Sequence, residues 1–418
     1  MPVQTNRYLP FLMWLFPLSF FCYQFVLRLW PGLMMHQMME QFSLDASHFG
    51  LFAAFYYYGY AGMQIPVAIL LDRFSARYCV FAFAVLCGLA TLMFTYTDNF
   101  IIAVFSRFLI GAGSAIGFLG VSKVVSEWFA KDHYARMIGF SFTIGLMGAI
   151  YGGKPVGLLI ETYRWQNVAL TLAVTSIMIG FGSYVVLRSP KNGENIRSES
   201  SFKMANFSAV FSSRILWMLA LSNMLMVGSL EGFADVWGVP YLMTAYDLKK
   251  EDAAGLISFV FIGMLFGGPM LAYLSKKIGN YRVIFGCGFG MALAFTVLLL
   301  SQPFNGWYLS VLLFCVGLMC CYQVIIFSAG SELVAPQYLG VTIAFLNCIN
   351  MLGGSFFHTA IGKIMDVFWT GLVTEEGLRQ YTLTVYQTAL SIIPASALVG
   401  AFLVYWVGRC AGRHQDTH

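Results

Sequence analysis

Two carboxylates, Glu231 and Asp235, stand four residues apart in LMVGSLEGFADVWGVPYLM, a stretch with no other charge. On a helix that spacing puts both on one face. Two carboxylates sharing a low-dielectric site hinder each other's ionisation, which suits a group that must take up and release a proton near neutral pH. His358, in another apolar stretch, carries an imidazole that titrates in the same range. These three are the candidates for handling protons. Arg28, in QFVLRLWPG, offers a permanent charge and a planar donor fork matched to a carboxylate. Gln24 lies one turn before it. Lys154 has no obvious local counter-charge and is a second candidate cation, whereas Lys123 has Glu127 four residues on. Tyr57, Tyr60 and Gln64 share one helical face, and with Tyr322, Asn347 and Asn350 they add hydrogen-bonding groups to the candidate substrate site. Aligning LRLW with ADVW sets Arg28 and Asp235 in corresponding register.

Such groups are expensive where this chain places them. Of its 418 residues 59% are hydrophobic and 10% charged, and the mean hydropathy is +0.73. Apolar stretches of about 20 residues recur throughout, so the elements that position these side chains are membrane-spanning helices. Twelve are expected, at approximately 10–35, 48–70, 79–96, 100–127, 138–160, 167–187, 215–243, 253–275, 283–301, 307–331, 340–366 and 387–407. Ionisable groups at that depth mark functional candidates by default. Lys and Arg distribute unevenly between the connecting segments, fifteen on one side and four on the other, which by the positive-inside rule puts both termini in the cytoplasm of a multi-pass inner-membrane protein. That asymmetry accounts for the net charge of +5, and no nucleic-acid patch remains to explain. The nine cysteines show no CxxC pair and read as buried thiols. Residues 188–214 form the one long polar connector, a cytoplasmic linker between an N-terminal bundle, 1–187, and a C-terminal bundle, 215–418.

The two bundles are copies. Glu127 and Glu332, Gly148 and Gly353, Gly157 and Gly362, and Glu161 and Asp366 all lie 205 residues apart. AILLDRFSARY at 68–78 resembles the major facilitator superfamily signature between helices 2 and 3, with Asp72, Arg73 and Arg77 matching and Ala68 and Ser75 replacing its two glycines. AYLSKKIGNYR at 272–282 is a weaker second copy. Arg107 followed by Gly111 and Gly113 is similar to the family's arginine-plus-glycine motif in helix 4, and GAIYGGKPVG at 148–157 to its fifth-helix motif, from which Lys154 departs. FYYYGYAGMQIPVAILLDRF, SKVVSEWFA and EGFADVWGVPYLM resemble a bacterial branch that includes phagosomal transporters of amino acids or nucleosides and some siderophore carriers.

The resemblance implies an all-α membrane protein with twelve transmembrane helices in two pseudo-symmetric six-helix bundles, moving solute by alternating access. It also implies a gating set of Asp72, Arg73, Arg77, Arg107, Glu127 and Glu332. No Walker A loop, nucleophile triad, metal cluster or dinucleotide fingerprint occurs, so neither an ATP-driven pump nor an enzyme is expected, and no cofactor. The function expected is proton-coupled import of a small carboxylate-bearing metabolite, an amino acid first and a polycarboxylate siderophore as the alternative, by a monomer. Drug efflux and nucleoside transport rank lower.

Overall fold

A computed structural model describes residues 8–188, 210–300, 306–335, 338–375 and 377–415. Most of the expected linker, 189–209, lies outside the described residues. Among the described residues eleven helices are long and apolar enough to cross a membrane: α1 (Leu9–Leu33), α3 (Ala76–Thr95), α4 (Phe100–Trp128), α5 (Asp132–Thr162), α6 (Trp165–Val186), α7 (Arg214–Tyr246), α8 (Lys250–Ile278), α9 (Asn280–Leu300), α10 (Gly306–Glu332), α11 (Leu339–Val367) and α12 (Leu383–Cys410). The twelfth expected span is α2 (Ala46–Arg73), 28 residues long and richer in tyrosine and polar groups. All nine cysteines carry free thiols.

Several spans are broken, and local chemistry accounts for the break in α5. In α5 the helix stops at Gly152 and restarts at Lys154, with Gly153 at φ −83° and ψ −105°. Pro155 lacks the N–H needed to continue the ladder and disfavours helical backbone at Lys154 before it. Helix α7 widens into a π-helical turn over Phe233–Trp237, between Gly232 and Gly238. Such turns add a residue and recur at functional sites.

The chain divides into two compact units, Met1–Trp30 with Tyr58–Ser198, and Pro31–Tyr57 with Glu199–His418. This division departs from a halving of the sequence at residues 31–57, which group with the C-terminal helices. The reason is backbone-to-backbone packing inside the second unit. A β-carbon at Gly50 would sit 2.3 Å from the His358 carbonyl oxygen, and one at Gly362 would sit 2.3 Å from that of Ala46.

Each unit also carries the mark of duplication. In the first, a β-carbon at Gly59 would meet the Phe108 carbonyl oxygen at 2.1 Å; in the second, one at Gly263 would meet that of Phe314 at 2.1 Å. Likewise Gly148 abuts Cys22 on α1, and Gly353, 205 residues on, abuts Met224 and Gly228 on α7. Small residues let helices approach where lipid supplies no hydrophobic drive.

Candidate functional site

In the second unit the π turn of α7 carries Asp235, whose residue is only 3% exposed. The Tyr57 hydroxyl on α2 donates to its Oδ2. The Tyr57 ring packs edge-on against the His358 imidazole of α11, with ring centroids 5.2 Å apart, and lies over Gly354, where a β-carbon would approach it to 2.7 Å. Two residues beyond Asp235, the Trp237 indole N–H donates to the His358 carbonyl oxygen at 3.2 Å, and its ring meets Phe49 of α2 edge-on at 5.9 Å. A β-carbon at Gly32 would come within 2.3 Å of the Asp235 carbonyl oxygen. Of the three expected proton-handling groups, Asp235 and His358 therefore converge on one tyrosine. Glu231, 7% exposed, lies one turn earlier on the α-helical part of α7, so a π turn intervenes where a uniform α-helical spacing was expected.

Deeper in α7, α10 and α11 is a second set of polar groups. The Tyr322 hydroxyl donates to Asn223 Oδ1 at 3.3 Å, with both residues fully buried. The Asn350 amide is fully buried and makes no hydrogen bond among the described residues. Buried amides left this way are uncommon in proteins and call for an explanation such as a ligand. Asn347, on the same helix, is half-buried.

In the first unit Arg28 is half-buried, with its guanidinium 5.9 Å from the Phe25 ring centroid. Gln24 is buried against Gly117 of α4. Lys154 is exposed and opens the second half of the broken α5, and the Gly152 that ends the first half packs on Val26 of α1. Lys123 and Glu127 pair at 3.4 Å, the local neutralisation their spacing allows. Tyr60 and Gln64 follow Tyr57 along α2 and are half-buried.

Arg107 takes a place the motif alone does not reveal. It is 2% exposed, and its guanidinium donates to the carbonyl oxygens of Leu27 and, at 2.8 Å, of Arg28. Residue 31 would normally donate to the carbonyl of residue 27, but Pro31 has no N–H to give. Arg107 thus satisfies an acceptor that Pro31 orphans. Of the other expected gating residues, Asp72 and Arg73 are exposed at the end of α2, and Arg77 lies over the Tyr184 ring at 4.3 Å. Glu332 accepts from the Asn280 amide at 2.9 Å.

One cluster escaped sequence reasoning. Asp366, at the end of α11, accepts from the Ser47 backbone N–H at 2.7 Å, from the Ser47 hydroxyl, from the Tyr381 hydroxyl at 2.6 Å and from Arg379 at 3.0 Å. The only signal was its pairing with Glu161 in the repeat. Trp237 was visible only as the last residue of ADVW, the segment aligned with LRLW.

The chain matches the family model described as Major Facilitator Superfamily over residues 13–358. It is 25% identical over 381 residues, 83% of each chain, to a probable L-galactonate transporter of Escherichia coli (strain K12). Over 374 residues, 81% of each chain, it is 21% identical to a probable hexose phosphate transport protein of Chlamydia pneumoniae. Its fold is similar to the crystal structure of the nucleoside transporter NupG, with a TM-score of 0.74 at 14% identity, covering 96% of this chain and 98% of that one.

Proposed function

The chain belongs to the major facilitator superfamily, and on that premise we infer that it is a proton-coupled secondary carrier importing a small carboxylate-bearing solute by alternating access. It is a transporter and not an enzyme. The observation that carries the coupling is Asp235: a carboxylate 3% exposed, in a π turn inside a membrane span, bonded to Tyr57 whose ring abuts His358. A buried carboxylate is costly to keep ionised in lipid, and a charge-assisted hydrogen bond offsets part of that cost. Taking up a proton removes the charge and weakens the bond, so protonation and the α2–α7 contact are linked. Glu231 is the second carboxylate of the pathway.

For the solute, Arg28 holds the carboxylate, with Lys154 as a second cation and Gln24, Tyr60 and Gln64 of the same unit supplying polar contacts; in the second unit Asn350, buried and with no hydrogen bond among the described residues, and Asn347 are the candidates. The relatives favour a hydroxylated organic anion of the sugar-acid class over the amino acid that the charges alone had pointed to. A sugar acid needs a cation and several hydrogen-bonding amides but no carboxylate to hold an ammonium group, which leaves Asp235 and Glu231 for protons. Siderophore, nucleoside and drug transport draw less support from this set. The carrier works as a monomer in the bacterial inner membrane with both termini in the cytoplasm.

The test is uptake of labelled L-galactonate into proteoliposomes holding the purified protein, with an imposed inward proton gradient. Accumulation that a protonophore collapses is expected. Uptake unaffected by the protonophore contradicts proton coupling, and accumulation of amino acids instead of galactonate contradicts the sugar-acid assignment.

A further inference from the structure

The first N–H groups of any helix have no partner within the helix. At the start of α2 three of them are claimed, and only one locally. Asp45 accepts from the His48 N–H at 2.8 Å as an ordinary N-cap. The Ser47 N–H goes to Asp366 at 2.7 Å and the Ala46 N–H to the Tyr381 hydroxyl at 3.0 Å, across 319 and 335 residues of chain. The Tyr381 hydroxyl in turn donates a hydrogen bond to Asp366, and Arg379 bridges the carboxylates, 3.0 Å from Asp366 and 3.9 Å from Asp45. Arg379 is held in place over the Trp369 ring, 4.6 Å from its centroid. The other titrating neighbour is His48, whose Nδ1 lies 2.7 Å from Asp45.

From this end α2 and α11 run antiparallel with their backbones in contact. Ala46 meets Gly362, Gly50 meets His358, the Ser355 hydroxyl donates to the Ala54 carbonyl oxygen at 3.2 Å, and the Tyr57 ring covers Gly354. The last step of that ladder is the Tyr57 bond to Asp235. Two of these contacts, Gly362 on Ala46 and Gly50 on His358, are backbone against backbone with no side chain to fix their register, so over the first turns of α2 sliding is opposed chiefly at the polar end.

We propose that Asp366 is a positioning residue for proton coupling: by capping α2 it sets the register of α2 on α11 and so holds the Tyr57 hydroxyl on Asp235, three turns away. This rests on the reading of Asp235 as the coupling carboxylate. Its cap bonds are hydrogen bonds to a carboxylate at a helix end, which can be given up and remade as the carrier changes state, unlike a buried apolar seam.

Hydrogen–deuterium exchange on the full-length protein in nanodiscs decides it without a substrate. In Asp366→Asn the amides of 46–50 and, remotely, those of the π turn 233–237 should exchange about tenfold faster than in the parent. Asp366→Glu should restore most of the protection, and Ser47→Ala, a milder change should Asp366→Asn fail to fold, should give the same two-site pattern at smaller amplitude. Tyr57→Phe should speed exchange at the π turn, and adding Asp366→Asn to it should add nothing there. Faster exchange confined to 46–50, or additive effects at the π turn, would make Asp366 a local cap and overturn the proposal. Failure of the parent to accumulate L-galactonate would strike the solute assignment and leave this result standing.

Discussion

Pro31 and Arg107 are coupled through one carbonyl. The proline takes away the donor that Leu27 would have had, and the guanidinium 80 positions on replaces it. Replacing Arg107 by Met should strand a buried acceptor and cost about 1–3 kcal/mol, read as a lower midpoint of thermal unfolding in detergent. Adding Pro31→Ala, which restores the missing N–H, should recover much of the loss; a double variant no more stable than Arg107→Met would contradict the account. In the sequence Arg107 belongs to the helix-4 motif and Pro31 to QFVLRLWPG, and nothing in spacing alone shows that two distant residues complete one hydrogen-bond ladder. Arg28 is the opposite case, legible as a cation at membrane depth. Arg28→Lys keeps the charge and loses the fork, so L-galactonate uptake should fall at least several-fold with normal expression; undiminished uptake would remove Arg28 from the solute site.

Among the elements, α2 shows where glycine is required and where it is incidental. A β-carbon at Gly50 would lie 2.3 Å from a backbone oxygen of α11, whereas one at Gly62 would meet nothing within 4 Å. Gly50→Ala should therefore cost about 1–3 kcal/mol through forced separation of two backbones. Gly62→Ala should be neutral or stabilise by up to about 1 kcal/mol, since alanine is the better helix former. Equal thermal midpoints for the two variants would refute the packing described. The spans themselves were legible from hydropathy, whereas the break in α5 falls inside what was expected as one span, 138–160, at a Gly-Gly-Lys-Pro run. The π turn was not, because FADVW reads as ordinary apolar helix and its extra residue is accommodated by neighbours far along the chain, among them Gly32 against Asp235. The consequence is that Glu231 and Asp235, expected on one α-helical face, are separated by a change of helical pitch.

At the scale of the whole molecule, the offset of 205 residues announced a duplicated carrier, and the paired glycine contacts at Gly59 and Gly263 repeat it in three dimensions. What the repeat hid is its asymmetry. The break in α5 has no counterpart in its repeat mate α11, which is continuous and bears His358. Residues 31–57 illustrate the same limit, because a sequence halves by homology while a fold divides by contact. The central claim is that Asp235 carries the coupled proton. It is tested most directly by measuring L-galactonate counterflow and gradient-driven accumulation on the same proteoliposomes with Asp235→Asn. An amide cannot change protonation, so the variant should exchange solute across the membrane at a rate near the parent's and fail to concentrate it when a proton gradient is imposed. Accumulation equal to the parent's would contradict the account and move the proton to Glu231 or His358.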